Sequence, residues 1–388
     1  MRDLEFQATD WPETTLGDVC TFRGGSGFRE SHQGQSSGDH PFIKVSDLTI
    51  DGNEKYITTA QNWVSAAALR ELRATLQPAG AVVFAKVGAA LKLNRRRILG
   101  LPTAIDNNMM AAIPDKQQLD GEFLYYFLLM QDLGRFSQES AVPSVNQGHL
   151  SSIEISLPPL PEQRKIAEIL RTWDEALETL TALCAAKERR LAGVGRALLA
   201  RAADDPATVT RPLATLARIV KGQQLNKLDI SDGDYPVWNG GITPSGFHND
   251  WNTEGGTITI SEGGNSCGFV NLADRPFWLG GHCYALRNLS QEVERDFLFH
   301  ALKSREPEIM RLRVGSGLPN IQRADLERLA VVVPPRDLQE RIASALTAGN
   351  AEITLLNTEI EALTRQKRGL MQKLLTGEWR VEQEPVDA

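Results

Sequence analysis

The chain contains itself twice. The stretch LPPLPEQRKIA, from Leu157 to Ala167, returns as VPPRDLQERIA, from Val333 to Ala343, at a shift of 176 positions. The same shift runs without a gap to Leu198-Leu199 and Leu374-Leu375. Upstream it joins Val142-Pro143-Ser144-Val145 to Leu318-Pro319-Asn320-Ile321, and Gly80 to Gly88 (GAVVFAKVG) to Gly256 to Gly264 (GTITISEGG). Leu16 to Phe22 aligns with Leu213 to Ile219 at a different offset, so the intervening loops carry insertions and deletions. A repeat this long predicts two copies of one unit, each a globular part followed by a long helix.

Within the globular parts the apolar runs are short and β-branched, broken by Gly, Pro and Asn, as in Pro41 to Val45, Ala81 to Phe84 and Thr257 to Ile260. Such runs read as strands, and two helical stretches, Glu122 to Gln131 and Glu294 to Leu302, interrupt them, so the fold class is α+β. After the Pro pairs the period changes. Positions 166, 170, 173, 177, 180, 184, 187, 191, 194 and 198 alternate steps of four and three and are apolar except Lys187. The equivalent positions in the second copy run from Ile342 to Leu374 and include Gly349 and Lys367. A sustained 3.5 period is a coiled-coil seam. Pro161 suits a first helical position, and Asp337 with Glu340 suits a capping box.

These readings predict four segments: a first domain over 1–156, a first long helix over 157–200, a second domain over 201–332 with a linker at 201–210, and a second long helix with an acidic tail over 333–388. Equal seam lengths and a short connector predict that the helices pack antiparallel, with the domains at opposite ends and related by a pseudo-twofold axis. Lys187 and Lys367 on the seams read as register devices or, alternatively, as partner contacts. Trp173 on the seam reads as core.

The order of globular unit, LPPLPEQRKIA helix, globular unit and degenerate helix resembles the specificity subunit of Type I restriction-modification systems. The element Pro-Pro-x-x-x-Gln-x-x-Ile-Ala at 158–167 and 334–343 is the most diagnostic stretch. Pro41 to Leu48, Ile105 to Met110 and Gly264 to Gly268 look like pieces of that family's target-recognition domains. The resemblance implies a DNA-reading subunit with two strand-rich target-recognition domains separated by an antiparallel coiled coil. Each domain reads half of a split, asymmetric site in double-stranded DNA, and the helix pair sets the spacer. It also implies two docked methyltransferase subunits, two ATP-driven restriction subunits that join to make the nuclease, and no cofactor on this chain, with S-adenosylmethionine and ATP on the partners.

Charge fits local rather than general DNA contact. The net charge is −7, and no region is broadly basic: −4 for 1–156, +1 for 157–200, −2 for 201–332 and −2 for the remainder. From Leu72 to Ile105 there is nevertheless no acid, and Lys86, Lys92, Arg95, Arg96 and Arg97 fall there beside Asn94. Long cations suit phosphate, while Arg, Asn and Gln suit base edges. The second copy offers Arg311, Arg313 and Arg323 around Ser316, with Asn320 and Gln322, in an acid-free run from Ile309 to Ala324. Arg29 in a Gly-rich loop, and Lys221 with Gln223, follow equivalent strands. Ser144, Asn146 and Gln147, and Asn265 with Ser266, complete the candidate DNA-binding set. For each, a solvated loop or a hairpin turn is the alternative.

Other functions lack their motifs. The Pro-Pro pairs at 158 and 334 have neither the amide nor the aromatic of an amino-methyltransferase loop, and no G-x-x-x-x-G-K-[ST] run marks a motor. Six scattered histidines frame no hydrolase site. Cys267, His282 and Cys283 fit no standard zinc spacing, so no metal is expected, and the four cysteines read as reduced apolar side chains. A coiled-coil adaptor would explain the helices but not two large strand-rich copies. No apolar run approaches bilayer length, and Arg2-Asp3-Leu4-Glu5 is no signal peptide, so a cytoplasmic location is expected.

Overall fold

A computed structural model describes residues 11–136, 143–225, 233–315 and 319–381. Its contacts divide the chain into two compact units, Met1–Thr179 with Ile360–Ala388, and Leu180–Glu359. Each unit therefore holds one globular domain and part of both long helices, Leu160–Ala203 and Arg336–Leu375.

Both globular domains are α+β and share one plan. In the first, the strands Cys20–Gly24, Met109–Pro114, Val82–Ala85 and Arg96–Leu99 lie side by side in that order, with Tyr56–Ile57 added at the far edge. In the second, Arg218–Lys221, Cys283–Arg287, Thr257–Ser261 and Val270–Ala273 repeat the order, with no fifth strand among the described residues. A smaller sheet repeats as well. His40–Ile43 pairs antiparallel with Trp63–Val64 and parallel with Thr103–Ile105, as Tyr235–Trp238 does with Phe247–His248 and Trp278–Leu279. The central strands are apolar on both faces because both are covered: Val82, Val83 and Phe84 have no exposed surface.

The helices Gly121–Met130 and Arg295–Ser304 close one face of each main sheet, within two residues of their expected limits. Asp120 and Glu294 cap them, their carboxylates accepting from the N–H of Phe123 and Phe297. Where the chain leaves Cys20–Gly24 and Arg218–Lys221 it makes no hairpin. It crosses into the second sheet, Ser26 bridging Asp106 and Gln223 bridging Gly280. A Cβ on Gly25 would lie 1.9 Å from the Asp106 carbonyl oxygen, and one on Gly222 2.2 Å from that of Gly280, so only glycine permits either crossing.

The Pro-Pro element joins each domain to its long helix. Gln163, fully buried, accepts at Oε1 from the Asp120 N–H (2.8 Å) and donates Nε2 to the carbonyls of Pro158 and Gln118, both at 2.8 Å. Gln339 repeats this with the Glu294 N–H at 2.7 Å and the carbonyls of Pro334 (2.8 Å) and Glu292 (2.9 Å). The helices start at Leu160 and Arg336, one residue ahead of Pro161 and Asp337, because the carbonyls of Pro159 and Pro335 already accept from the N–H of Gln163 and Gln339. Asp337 thus lies in the first turn rather than at a cap, and Glu340 pairs with Arg336 at 2.9 Å.

Within each unit the two helices run antiparallel. In the first, Asp174 faces Lys367 and Glu162 faces Arg380; in the second, Lys187 meets Glu352 at 2.6 Å and Leu191 lies against Gly349. A Cβ on Gly349 would stand 2.5 Å from Leu191 Cδ1, so this glycine makes room for a large neighbour. All ten expected seam positions of the second helix are at least partly buried, and Trp173 of the first is half-buried. Val194 is an exception: it is 42% exposed, and Gly195 faces Leu346 instead. A straight helix advances 3.6 residues per turn, so a 3.5 seam drifts off the contact line. Both seam lysines end in cross-helix ion pairs, and Asp174 also accepts from the Tyr126 phenol at 2.5 Å.

Gln163→Ala leaves a buried N–H and two carbonyls without partners and is expected to cost about 2–4 kcal/mol in denaturant melts; exposed Gln372→Ala serves as the unchanged control. Lys367→Ala strands the Asp174 carboxylate and is expected to cost about 2 kcal/mol, whereas Lys367→Met with Asp174→Leu recovers most of it. Melts of the three variants check this.

Candidate nucleic-acid interface

The strand that ends at Ala85 in the first copy, and at Ser261 in the second, runs into a loop that a later segment stitches down. In the first copy the Gly88 N–H donates to the Pro143 carbonyl (2.8 Å), the Val145 N–H donates to the Lys86 carbonyl (3.0 Å), and Val87 bridges Ser144. In the second the Gly264 N–H donates to Pro319 (3.0 Å), the Ile321 N–H donates to Glu262 (2.8 Å), and Gly263 bridges Asn320. Gly88 and Gly264 both take a positive φ, +75° and +78°, which keeps this crossing to glycine. One backbone frame therefore presents two different sets of side chains.

In the first copy that set gathers Lys86, Ser144, Asn146 and Gln147. Asn146 and Gln147 are exposed, but Asn146 accepts from the His149 N–H as a helix cap and Gln147 donates to the Phe22 carbonyl. The Lys86 ammonium lies over Gly24, 3.1 Å from where a Cβ would stand. Directly after Gly88 the short helix Ala89–Lys92 carries Lys92 outward, and Arg95 follows on the next turn. Among the described residues, the cationic heads of Lys86, Lys92 and Arg95 have no hydrogen-bond or ion-pair partner.

Three neighbours in the same basic run turn inward. Arg96 is fully buried over the Phe84 ring at 5.0 Å, bonded to Asn94 Oδ1 (2.6 Å) and the Arg95 carbonyl, and burial lowers its pKa to about 10. Asn94, at φ +52°, donates to the Leu129 carbonyl at 2.7 Å. Arg97 donates to the carbonyls of Leu48 (2.8 Å) and Arg96 (2.7 Å). For Arg96 the expectation of a DNA contact is corrected by strand geometry, since alternate side chains of Arg96–Leu99 point into the two cores, whereas Asn94, in the turn before that strand, and Arg97 are half-buried. Arg29 stands apart, paired with Glu71 at 3.6 Å.

The second copy is arranged differently. Glu262, equivalent to Lys86, is 8% exposed and accepts from Lys221 Nζ (2.7 Å) and the Tyr284 phenol (2.9 Å). Burial and this carboxylate together hold the phenol well above its ordinary pKa. Lys221 occupies the strand position of Gly24, so both copies carry an ammonium beside this crossing, from different strands. Asn265 is exposed and Ser266 half-buried in the loop after Gly264, while Asn320 accepts from Gln322 at 3.1 Å. Exposed Arg311 and Arg313 have no ion-pair partner among the described residues, while Arg323 pairs with Glu327 at 2.7 Å. Gln223 uses its backbone to bridge the second sheet, its carbonyl accepting from the Trp278 indole at 3.2 Å. Ser316 lies outside the described residues. Cys267 donates its thiol to the Glu262 carbonyl at 2.9 Å, and burial raises the Cys283 pKa to about 11. The shift of 176 matches Glu262 with Lys86 but does not reveal Lys221 and Tyr284, which reach the carboxylate from neighbouring strands.

Comparison with known proteins agrees with this two-copy plan. The family model of the Type I restriction modification DNA specificity domain matches residues 8–185 and again 208–365. A Mycoplasma pneumoniae chain assigned to the type I specificity subunits is 37% identical over 169 residues, 43% of this chain and 45% of that one, so this chain spans under half its length in that match. The Type I restriction enzyme MjaVIII specificity subunit of Methanocaldococcus jannaschii is 22% identical over 73% of this chain and 76% of its own. The solved S subunit of a Type I system from M. genitalium shares the fold with a TM-score of 0.65 at 18% identity, over 97% of this chain and 98% of that one. A chain from a structural study of type I R-M complex assembly and conformational transition aligns at 0.59 and 19%, over 96% and 100%. With the specificity model matched twice across most of its length, the chain belongs to the Type I restriction-modification DNA specificity family, a family of non-catalytic recognition subunits.

Proposed function

We propose that this chain reads a bipartite, non-palindromic site in double-stranded DNA, one half by each globular domain, and docks two methyltransferase subunits that carry S-adenosylmethionine. Two ATP-driven restriction subunits complete the nuclease, and the complex works in the cytoplasm. The chain itself contributes recognition and no chemistry.

One observation carries the reading: the frame recurs bond for bond while its side chains diverge. Lys86 is matched by Glu262, Ala89 by Asn265, Ser144 by Asn320 and Gln147 by Arg323. A cation, an acid and an amide offer different donors and acceptors to base edges, so the two domains prefer different bases. Lys92 and Arg95, exposed and without an ion-pair partner among the described residues, suit phosphate. A net charge of −7 limits what the chain neutralises alone, so the methyltransferase subunits supply much of the grip.

Fusing residues 1–200 to a second copy of themselves and assembling the product with the methyltransferase subunit is expected to convert the modified site into an inverted repeat of one half. Mapping methylated adenines reads the outcome, and continued modification of the original asymmetric site would refute the reading. Lys92→Ala with Arg95→Ala is expected to weaken binding to all duplexes about equally and to lower the slope of log K against log salt by about 1 for each phosphate that is no longer neutralised. A salt titration measures it, and a changed sequence preference would place these residues on bases instead.

A further inference from the structure

The two copies differ most at the edge of the main sheet. In the first copy nineteen residues, 44 to 62, separate His40–Ile43 from Trp63–Val64; in the second only eight, 239 to 246, separate the equivalent strands. The longer segment supplies Tyr56–Ile57, which joins Arg96–Leu99 in parallel register, with Ile98 N–H donating to the Lys55 carbonyl at 2.8 Å. Its side chains fill the groove between sheet and helices. Lys55 Nζ donates to Glu122 (3.0 Å) and to the Tyr126 phenol (2.9 Å), and the Tyr56 phenol donates to Glu122.

The second copy keeps the groove without the filler. Val82 faces Ile98 across the first sheet as Ile258 faces Leu272 across the second, so Leu272 stands where Ile98 does. Bonded pairs alternate in such a ladder, and the outward groups of Val270 are taken by Glu306 (2.9 Å) and Lys303 (3.0 Å). Leu272 points its N–H and carbonyl the same way, and among the described residues nothing meets them. Nearby, Asn271 Nδ2 is buried with no partner among the described residues, at the position where Arg97 bonds to Leu48 of the inserted segment. Asp296 and His300 stand where Glu122 and Tyr126 do, counted from the caps Glu294 and Asp120. They line a groove of about 880 Å³ in which Arg295 pairs with Asp296 at 2.7 Å, and Glu254 and Asp274 have no ion-pair partner among the described residues.

We propose that this groove of the second domain takes an extended segment of a protein partner, added as a parallel strand beside Leu272 and Ala273, with a basic side chain followed by an aromatic one. An open edge offers the backbone bonds, and the acidic rim selects the cation. The same rim disfavours DNA, and the chain's own tail, Glu382 to Asp387, holds three acids and no base. The proposal is independent of the DNA-reading function.

The probe is a fluorescein-labelled peptide with the sequence of residues 51–60, titrated to millimolar concentration against the full chain. Saturable binding is expected, about tenfold weaker for the peptide carrying Lys55→Glu. Asp274→Lys and Asp296→Asn in the chain should weaken the peptide while leaving melting temperature and DNA binding unchanged. Hydrogen exchange should show the Leu272 N–H unprotected in the free chain and protected with peptide. Absence of saturable binding, equal affinity for the Lys55→Glu peptide, displacement by duplex DNA, or a Leu272 amide already as slow as that of Ile98 would each overturn the proposal.

Discussion

A buried glutamine at the root of each long helix is the constraint on which the molecule depends. Gln163 and Gln339 each tie together three backbone groups that sheet and helix ladders leave unpaired: a carbonyl of the Pro-Pro turn, a carbonyl of the chain entering the domain's helix and the N–H of the residue that caps that helix. A carboxylate there would lack the donors, and a shorter amide would not span the gap. Proline before the glutamine removes a backbone donor that would otherwise need a partner, and it fixes the direction in which the helix leaves. The first turn of each long helix is thereby fixed to its domain.

A fixed backbone likewise explains how the two copies tolerate different side chains. Stitching of the loops at Lys86 and Glu262 is done by backbone groups and by glycines at positive φ, so the side chains at those positions are free to change sign. Lys221 and Glu262 then neutralise each other in one copy, while in the other Lys86 has no partner among the described residues. Divergence therefore falls on side chains, buried Glu262 among them, and the backbone frame stays fixed.

The seam shows a different compromise. Lysines at 187 and 367 weaken an apolar contact line, but each finds a carboxylate only in the observed antiparallel pairing. A slip by one turn would set Lys187 opposite Ala348 or Leu356, neither of which offers a carboxylate. The ion pairs thus stabilise one register against its neighbours more than they stabilise the helices themselves.

Periodicity and repetition in the sequence determined the two copies, the α+β class, the long helices and the Pro-Pro-Gln joint, because each depends on local pattern or on self-similarity. Even the exposure of Val194 follows from a helix period that does not divide seven. The basic run at 92–97 was legible as a cluster, but not as two populations. Strand alternation and the core packed around Phe84 turned Arg96 and Arg97 inward and left Lys92 and Arg95 outside. Likewise the pairing of Lys221 with Glu262, and the open edge at Leu272, depend on which strands become neighbours. Sequence separation carries no information about that, since contact between distant segments is decided by packing the whole domain at once.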